Sequence, residues 1–284
     1  MLRLAIMGDL HYARTERIEG LSGLRAVQER FLDTYFRHFF GEPADGYISV
    51  GDLTHTGSLQ EYEDVYRKMG DSRPRFMQVL GNHDVLDNSK DKVLAFLKQP
   101  AYHSITTKEA TLLFLDTTRE RSPDHSDGRM DDEQLRWLES IVEQNESQPL
   151  ILFAHHPIRG TTAFSERDQL FVNSERLEEI LQRRKGTALY LNGHNHVHSV
   201  YRQGNWRYIQ TAACLAAPSY RIVTISGNRI SVKTRVLSDG DLKQYGLQLE
   251  KELLYFPDAV RPVPSREDLE LEIDLSAEGI GGSA

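Results

Sequence analysis

Leu2-Arg3-Leu4-Ala5-Ile6-Met7-Gly8-Asp9-Leu10-His11 is a mostly apolar, strand-like run that ends in a glycine and then places Asp and His two residues apart. The same grammar recurs along the chain. Apolar runs give way to Gly51-Asp52, to Gly81-Asn82-His83-Asp84, to His155-His156-Pro157 and to Gly193-His194-Asn195-His196. One such cluster is ordinary turn chemistry, because Asp, Asn and Gly are common turn residues. Five clusters, each at the end of a strand-like run, require a different reading. In parallel α/β sheets, functional groups collect beyond the carboxyl ends of the strands, where the sheet edge faces an open crevice. The glycines at 8, 51, 81 and 193 permit a sharp backbone exit and close approach to a bound ion. His194 and His196, two apart, share one face of an extended chain. The pattern thus gathers seven oxygen and nitrogen donors, too many for one zinc and suited to a pair of divalent metals.

Outward from these clusters, periodicity predicts strands over 2–7, 46–50, 76–80, 110–115, 150–154 and 187–191. Helices are expected over 21–40, 60–69, 131–146 and 174–184, the last capped by Ser174. After Gly193 come short alternating runs at 197–201, 206–209, 220–225 and 229–235. Gln203-Gly204-Asn205 and Ser226-Gly227-Asn228 punctuate them, suggesting an antiparallel meander. The expected fold is α/β: a four-layer α/β/β/α sandwich of two mixed sheets flanked by helices. A domain over 1–242 would be followed by an acidic extension over 243–284. That extension contains Pro257, Pro262 and Pro264, and should pack on the core or serve a homo-oligomeric interface. Gly281 to Ala284 should be frayed.

Composition narrows the functional classes. Of 284 residues, 39% are hydrophobic and 27% charged, as in a soluble globular protein. The formal net charge is -8, so little would be gained from counterion release and stable nucleic-acid binding is not expected. No apolar stretch approaches the ~20 residues of a bilayer crossing. The apolar start leaves no room for a signal peptide, so the expected location is the cytoplasm. Cys214, the single cysteine, lies in Ala212-Ala213-Cys214-Leu215-Ala216 and reads as a small buried hydrophobe.

With its five motifs in order over roughly residues 8 to 196, the chain resembles the calcineurin-like metallophosphoesterases. Specifically, it resembles the bacterial branch related to class III cyclic-nucleotide phosphodiesterases and glycerophosphodiesterases. The resemblance implies two divalent metal ions (Mn, Fe, Zn or Co). Asp9, His11 and His196 would hold the first, Asn82, His155 and His194 the second, and Asp52 would bridge them. Asn82 and His83 would contact the substrate. His83 would protonate the leaving oxygen, with Asp84 orienting it, after hydroxide formed at the metals attacks phosphorus. Counting two metals, two carboxylates and one hydroxide leaves the site at about +1, which attracts an anion into an acidic protein.

The other histidines have plainer readings. In the resembled motif the ligand comes first, so His155 is the candidate and His156 lies behind it. His198 is expected behind the site or at the surface, and His55, His103 and His125 are not expected to be ligands. The loop from Ser122 to Gly128 is polar enough to line a substrate cleft, and Arg159 is a candidate phosphate contact. Related families fit less well. Serine/threonine protein phosphatases carry Asp-Arg-Gly where this chain has His55-Thr56-Gly57, and purple acid phosphatases place a tyrosine at the position of His55. The expected function is therefore a phosphodiesterase on small molecules such as a cyclic nucleotide or glycerophosphodiester. A phosphomonoesterase on nucleotides or sugar phosphates, and a catalytically silent scaffold, are the alternatives.

Overall fold

A computed structural model describes residues 1–70, 75–120, 122, 124–144, 148–253 and 261–278. Pro123, Glu146, Pro257 and the 281–284 terminus, on which sequence expectations fall, lie outside the described residues. Two six-stranded sheets face each other. The first contains β1 (Leu2–Met7), β2 (Gly46–Ser49) and β3 (Phe76–Gln78) in parallel, continued antiparallel by β10 (Ser219–Ser226), β11 (Arg229–Val236) and β12 (Glu270–Asp274). The second contains β5 (Thr111–Phe114), β6 (Leu150–Phe153), β7 (Ala188–Asn192) and β9 (Trp206–Gln210) in parallel. Its antiparallel edges are β4 (His103–Thr106) and β8 (Ser199–Gln203).

The period-2 alternation of the strands divides the core into three apolar zones. In β1, Leu2, Leu4 and Ile6 face the second sheet, where they meet Phe114, Ile151, Phe153 and Leu191. Ala5 and Met7 point the other way, onto α1 (Arg25–Gly41), whose Phe31, Tyr35 and Phe39 are fully buried. With α2 (Leu59–Met69) and α3 (Lys90–Leu97), that helix covers the outer face of the first sheet. On the far side, α4 (Asp132–Gln144) and α5 (Glu175–Gln182) cover Leu113, Leu152 and Tyr190. The α/β/β/α architecture follows directly. Ser58 and Ser174 cap α2 and α5 by accepting the Glu61 and Leu177 N–H groups.

One sequence expectation is corrected. The four runs after Gly193 form two hairpins, turning at Gly204 and Gly227, rather than one meander. The chain crosses between the sheets over 211–218, so β9 joins the second sheet parallel to β7 while β10 joins the first beside β1. Local alternation identifies each hairpin but carries no information about which sheet receives it.

The region after residue 242 packs on the core where it is described. Leu242, Leu249 and Leu253 of α6 (Gly240–Leu253) pack into the cluster around Phe31 and Tyr35, and β12 extends the first sheet. Arg221 of β10, fully buried, ties the tail to both sheets through α7 (Arg266–Leu269). Its guanidinium donates to Thr234 Oγ1 (3.0 Å) on β11 and to the Gln210 carbonyl (2.6 Å) at the end of β9. It also donates to the Asp268 carbonyl (2.9 Å) in α7. Asp268 in turn accepts the Val200 N–H of β8 at 2.8 Å. One planar fork thus joins both sheets and the tail, although burial pushes its pKa down to about 9. Arg221→Ala, which strands those acceptors, should cost about 3 kcal/mol or more of unfolding free energy in urea denaturation, with Arg221→Lys intermediate.

Candidate metal centre

All five motif clusters meet at one end of the sandwich, because the parallel strands of both sheets point their carboxyl ends the same way. The first two loops are laced together: the Leu10 and His11 N–H groups donate to the Asp52 carbonyl at 3.0 and 2.9 Å. Tyr12 N–H then donates to the Leu53 carbonyl and His55 N–H to the Tyr12 carbonyl. The loops approach so closely that several positions admit only glycine, Gly51 and Gly81 among them. At Gly51 (φ +100°) an added Cβ would stand 2.4 Å from His155 Nδ1, and at Gly81 it would stand 2.1 Å from Asp52 Oδ1. His11, Asp52, His194 and His196 themselves adopt left-handed backbone, with φ between 48° and 69°. Each such residue costs roughly 1–2 kcal/mol, and strain of this kind persists where the surrounding structure imposes it, often at functional sites.

Two groups of donors result. In one, His11 Nε2 and His196 Nε2 are 3.2 Å apart, with Asp9 Oδ2 3.1 Å from the latter. In the other, His155 Nε2 lies 3.2 Å from His194 Nδ1 and 3.1 Å from Asn82 Oδ1. Asp52 Oδ2 stands between the groups, 3.6 Å from His11 Nε2 and 3.3 Å from His155 Nε2. Two donors each about 2.1 Å from one ion lie roughly 3–3.5 Å apart at tetrahedral or octahedral angles, so these spacings fit cations. Ring orientation agrees. His155 Nδ1–H donates to the Val50 carbonyl (2.9 Å) and His194 Nε2–H to the Gln169 carbonyl (3.1 Å). The opposite nitrogen of each ring is thereby turned inward. Asp9 Oδ1 is buried without a hydrogen-bond partner among the described residues, a further sign of a centre built for cations.

Electrostatics point the same way. Burial alone would lower His155, but the Asp52 charge and hydrogen bond, with Asp9, lift it to about 9. A proton on that ring occupies the place a cation would take. Burial would raise Asp52, yet His155, His83 and His11 hold it well below the usual carboxylate range. Burial and the neighbouring His155 push His194 down to about 4, and burial with His83 holds His11 well below its usual value. Their neutral rings are ready donors at neutral pH.

The remaining sequence candidates separate clearly. His156 lies within reach of the His155 and His194 nitrogens, but its own nitrogens are taken. Nδ1 accepts from the Thr117 hydroxyl (2.8 Å) and Nε2–H donates to the Ser126 carbonyl (2.9 Å). His198 is buried rather than at the surface; Nδ1 accepts Ala212 N–H and Nε2 bonds Ser219 Oγ. His103 stacks on Phe114 and His125 lies in an exposed turn. Arg159 does not join the candidate ligands; its guanidinium lies over Phe171, 5.2 Å from the ring centroid. Cys214 is free and buried, and burial pushes its thiol up to about 12.

Asp84 requires a correction. The carboxylate does not hold the His83 ring; it accepts Gly81 N–H (2.9 Å), Leu53 N–H (3.3 Å), and Thr54 N–H (2.9 Å) and hydroxyl (2.7 Å). His83 Nδ1–H donates instead to the His55 carbonyl at 2.7 Å. Asp84 therefore fixes the backbone that presents that carbonyl. Four backbone and hydroxyl donors suit a buried carboxylate, and no spacing rule identifies them in advance. The carbonyls of Val50, Gln169 and His55, which set three ring orientations, are equally invisible to sequence reading.

Asp52→Ala should leave fewer than two metal equivalents after reconstitution with manganese or zinc and dialysis, quantified by plasma emission spectroscopy. Gly81→Ala should reduce metal retention in the same direction, because its Cβ displaces the Asp52 carboxylate. Full retention in both variants would count against a shared site at Asp52.

Comparison with known proteins agrees with this geometry. Residues 2–198 match the model of the Calcineurin-like phosphoesterase family. A protein of Rhodopseudomonas palustris named a probable cyclic nucleotide phosphodiesterase is 28% identical over 203 residues, covering 69% of this chain and 72% of its own. A 3',5'-cyclic-nucleotide phosphodiesterase of Nostoc is 24% identical over 212 residues, 73% of this chain and 76% of its own. Among solved structures, a dimetal phosphatase from Danio rerio superposes with a TM-score of 0.69 at 14% identity, covering 83% of this chain and 96% of that one. The family match spans more than half of the sequence, and the chain belongs to the calcineurin-like phosphoesterases, metal-dependent hydrolases of phosphoric esters.

Proposed function

We propose that this enzyme hydrolyses small-molecule phosphodiesters, with 3',5'-cyclic nucleotides as the leading class. In this reading Asp9, His11 and His196 hold one metal, Asn82, His155 and His194 the other, and Asp52 is common to both. The observation that carries it is the placement of Asp52 Oδ2 within 3.6 Å of His11 Nε2 and 3.3 Å of His155 Nε2, one carboxylate oxygen addressing both donor groups. When bound, two divalent ions lower the pKa of water and offset phosphoryl charge. The native ions are of the Mn, Fe, Zn or Co kind, which suit imidazole, amide and carboxylate donors.

The chain's own residues orient the substrate and move the proton. With Oδ1 of Asn82 directed at His155, its Nδ2 remains a donor for a phosphoryl oxygen. His83 is half-buried at the mouth of the centre, its main-chain N–H donating to Asp52 Oδ1 at 2.9 Å and its Nδ1–H to the His55 carbonyl. Those two bonds lock the ring so that Nε2 is the nitrogen available to deliver a proton to the departing oxygen. An alkyl diester such as a cyclic nucleotide expels its alcohol as an alkoxide, which needs that proton, so His83 is the group on which turnover of such substrates depends. The two relatives named for cyclic nucleotides support this substrate class, and the net charge of -8 favours small substrates over polyanions.

His83→Ala should keep its full metal content while kcat on 3',5'-cyclic AMP, whose departing alkoxide needs the proton, falls roughly 10²–10⁴-fold, with a smaller fall on bis(p-nitrophenyl) phosphate, whose phenolate does not. Metal loss on this substitution would place His83 among the ligands instead. Metal-loaded protein should cleave bis(p-nitrophenyl) phosphate and 3',5'-cyclic AMP in preference to p-nitrophenyl phosphate. A strong preference for the monoester would replace the diesterase reading with a phosphomonoesterase.

A further inference from the structure

Around the candidate metal centre, His11, His155, His194 and His196 are buried, whereas Asn82, His83 and His55 are only half-buried. These three therefore form the rim that an incoming phosphate meets. His55 is the member no sequence motif assigns. A ring nitrogen of His55 lies within 4.8 Å of ring nitrogens of both His11 and His83. Its ring centroid is 5.4 Å from that of His83 and 5.9 Å from that of His11. The backbone holding it is fixed on both sides: its N–H donates to the Tyr12 carbonyl at 2.8 Å, and its carbonyl accepts His83 Nδ1–H at 2.7 Å. His55 Nδ1 is buried and has no hydrogen-bond partner among the described residues. An imidazole whose backbone is fixed this firmly, next to the proposed proton donor and with Nδ1 left without a hydrogen-bond partner among the described residues, is not explained by packing alone.

We propose that His55 is a substrate-binding residue, its ring donating a hydrogen bond to a non-bridging phosphoryl oxygen while His83 serves the leaving oxygen. The inference rests on the phosphodiesterase reading above and extends it. Two non-ligand imidazoles then flank the phosphate on the side of Asp9, His11 and His196, with Asn82 opposite. Charge-assisted hydrogen bonds to phosphate are short and strong, so the loss of one is measurable in binding. His55 also supplies the His83 orienting bond, but through its main-chain carbonyl, which every substitution retains.

The test uses manganese-loaded full-length protein and inorganic phosphate as probe. His55→Ala should retain two metals per chain and weaken phosphate binding, measured by calorimetry, about tenfold or more. KM for bis(p-nitrophenyl) phosphate should rise by a similar factor, with a smaller change in kcat. His55→Gln, which keeps an N–H donor, should recover part of both, with thermal melts verifying that each variant is folded. Loss of a metal equivalent in His55→Ala would make this residue a ligand and overturn the proposal. Unchanged phosphate affinity and KM would overturn it as well, leaving the phosphodiesterase reading intact. If the two-metal wild type itself neither binds phosphate nor turns over, both readings fall together.

Discussion

One carboxylate organises this end of the molecule. Asp52 is buried with its Oδ2 between His11 and His155, its Oδ1 on the His83 amide, and its main-chain carbonyl on the amides of Leu10 and His11. A buried carboxylate without cations or donors around it would be costly, and here every neighbouring loop contributes to offsetting that cost. The carboxyl ends of β1, β2, β3 and β6 must all converge on it. That requirement fixes how the two sheets face each other more tightly than their apolar faces do, because apolar packing tolerates rearrangement and a hydrogen-bonded charge does not.

The same constraint explains the backbone. Left-handed geometry at His11, Asp52, His194 and His196 is unfavourable for each residue locally. It is imposed by the tight exits of neighbouring strands, and stabilised at His11 and Asp52 by the cross-loop hydrogen bonds between 10–12 and 52–55 and at His194 by its N–H on Asp9 Oδ2. Asp84 contributes from below, gathering the amides of Gly81, Leu53 and Thr54 on one carboxylate. Burial and the charge of Asp52 both raise its pKa, so this support is an energetic cost that the four donors offset. The apolar sandwich behind, from Leu4 and Ile6 to Phe153 and Leu191, provides the rigid platform on which strained loops can persist.

The β10 to β12 edge of the first sheet has its own polar fastening. Arg221 joins β10, β11, the end of β9 and the tail at Asp268, and the capping box of Ser265 and Asp268 shapes the short helix that it grips. A guanidinium carries several donors in one plane, which is why an arginine can link elements that a hydrophobic contact could not hold in register. The tail thereby becomes part of both sheets' edges: β12 covers β11, and Asp268 occupies a backbone donor of β8.

What the sequence by itself determined was local and periodic. Alternation in Leu2–Met7 placed Leu4 and Ile6 on one face and Ala5 and Met7 on the other. A serine cap at Ser174 marked α5, and the Gly-Asp, Gly-Asn and Gly-His steps marked strand ends where backbones approach closely. These are properties of adjacent residues, so the α/β sandwich and the cluster positions could be read directly. Tertiary structure alone decided three other matters: that the second hairpin after Gly193 crosses to the first sheet, that Asp84 holds backbone rather than the His83 ring, and that His55 stands at the rim. Each depends on contacts between segments distant in sequence and on carbonyl groups that every residue carries. Residue identity says little about where such groups point until the chain has closed around them.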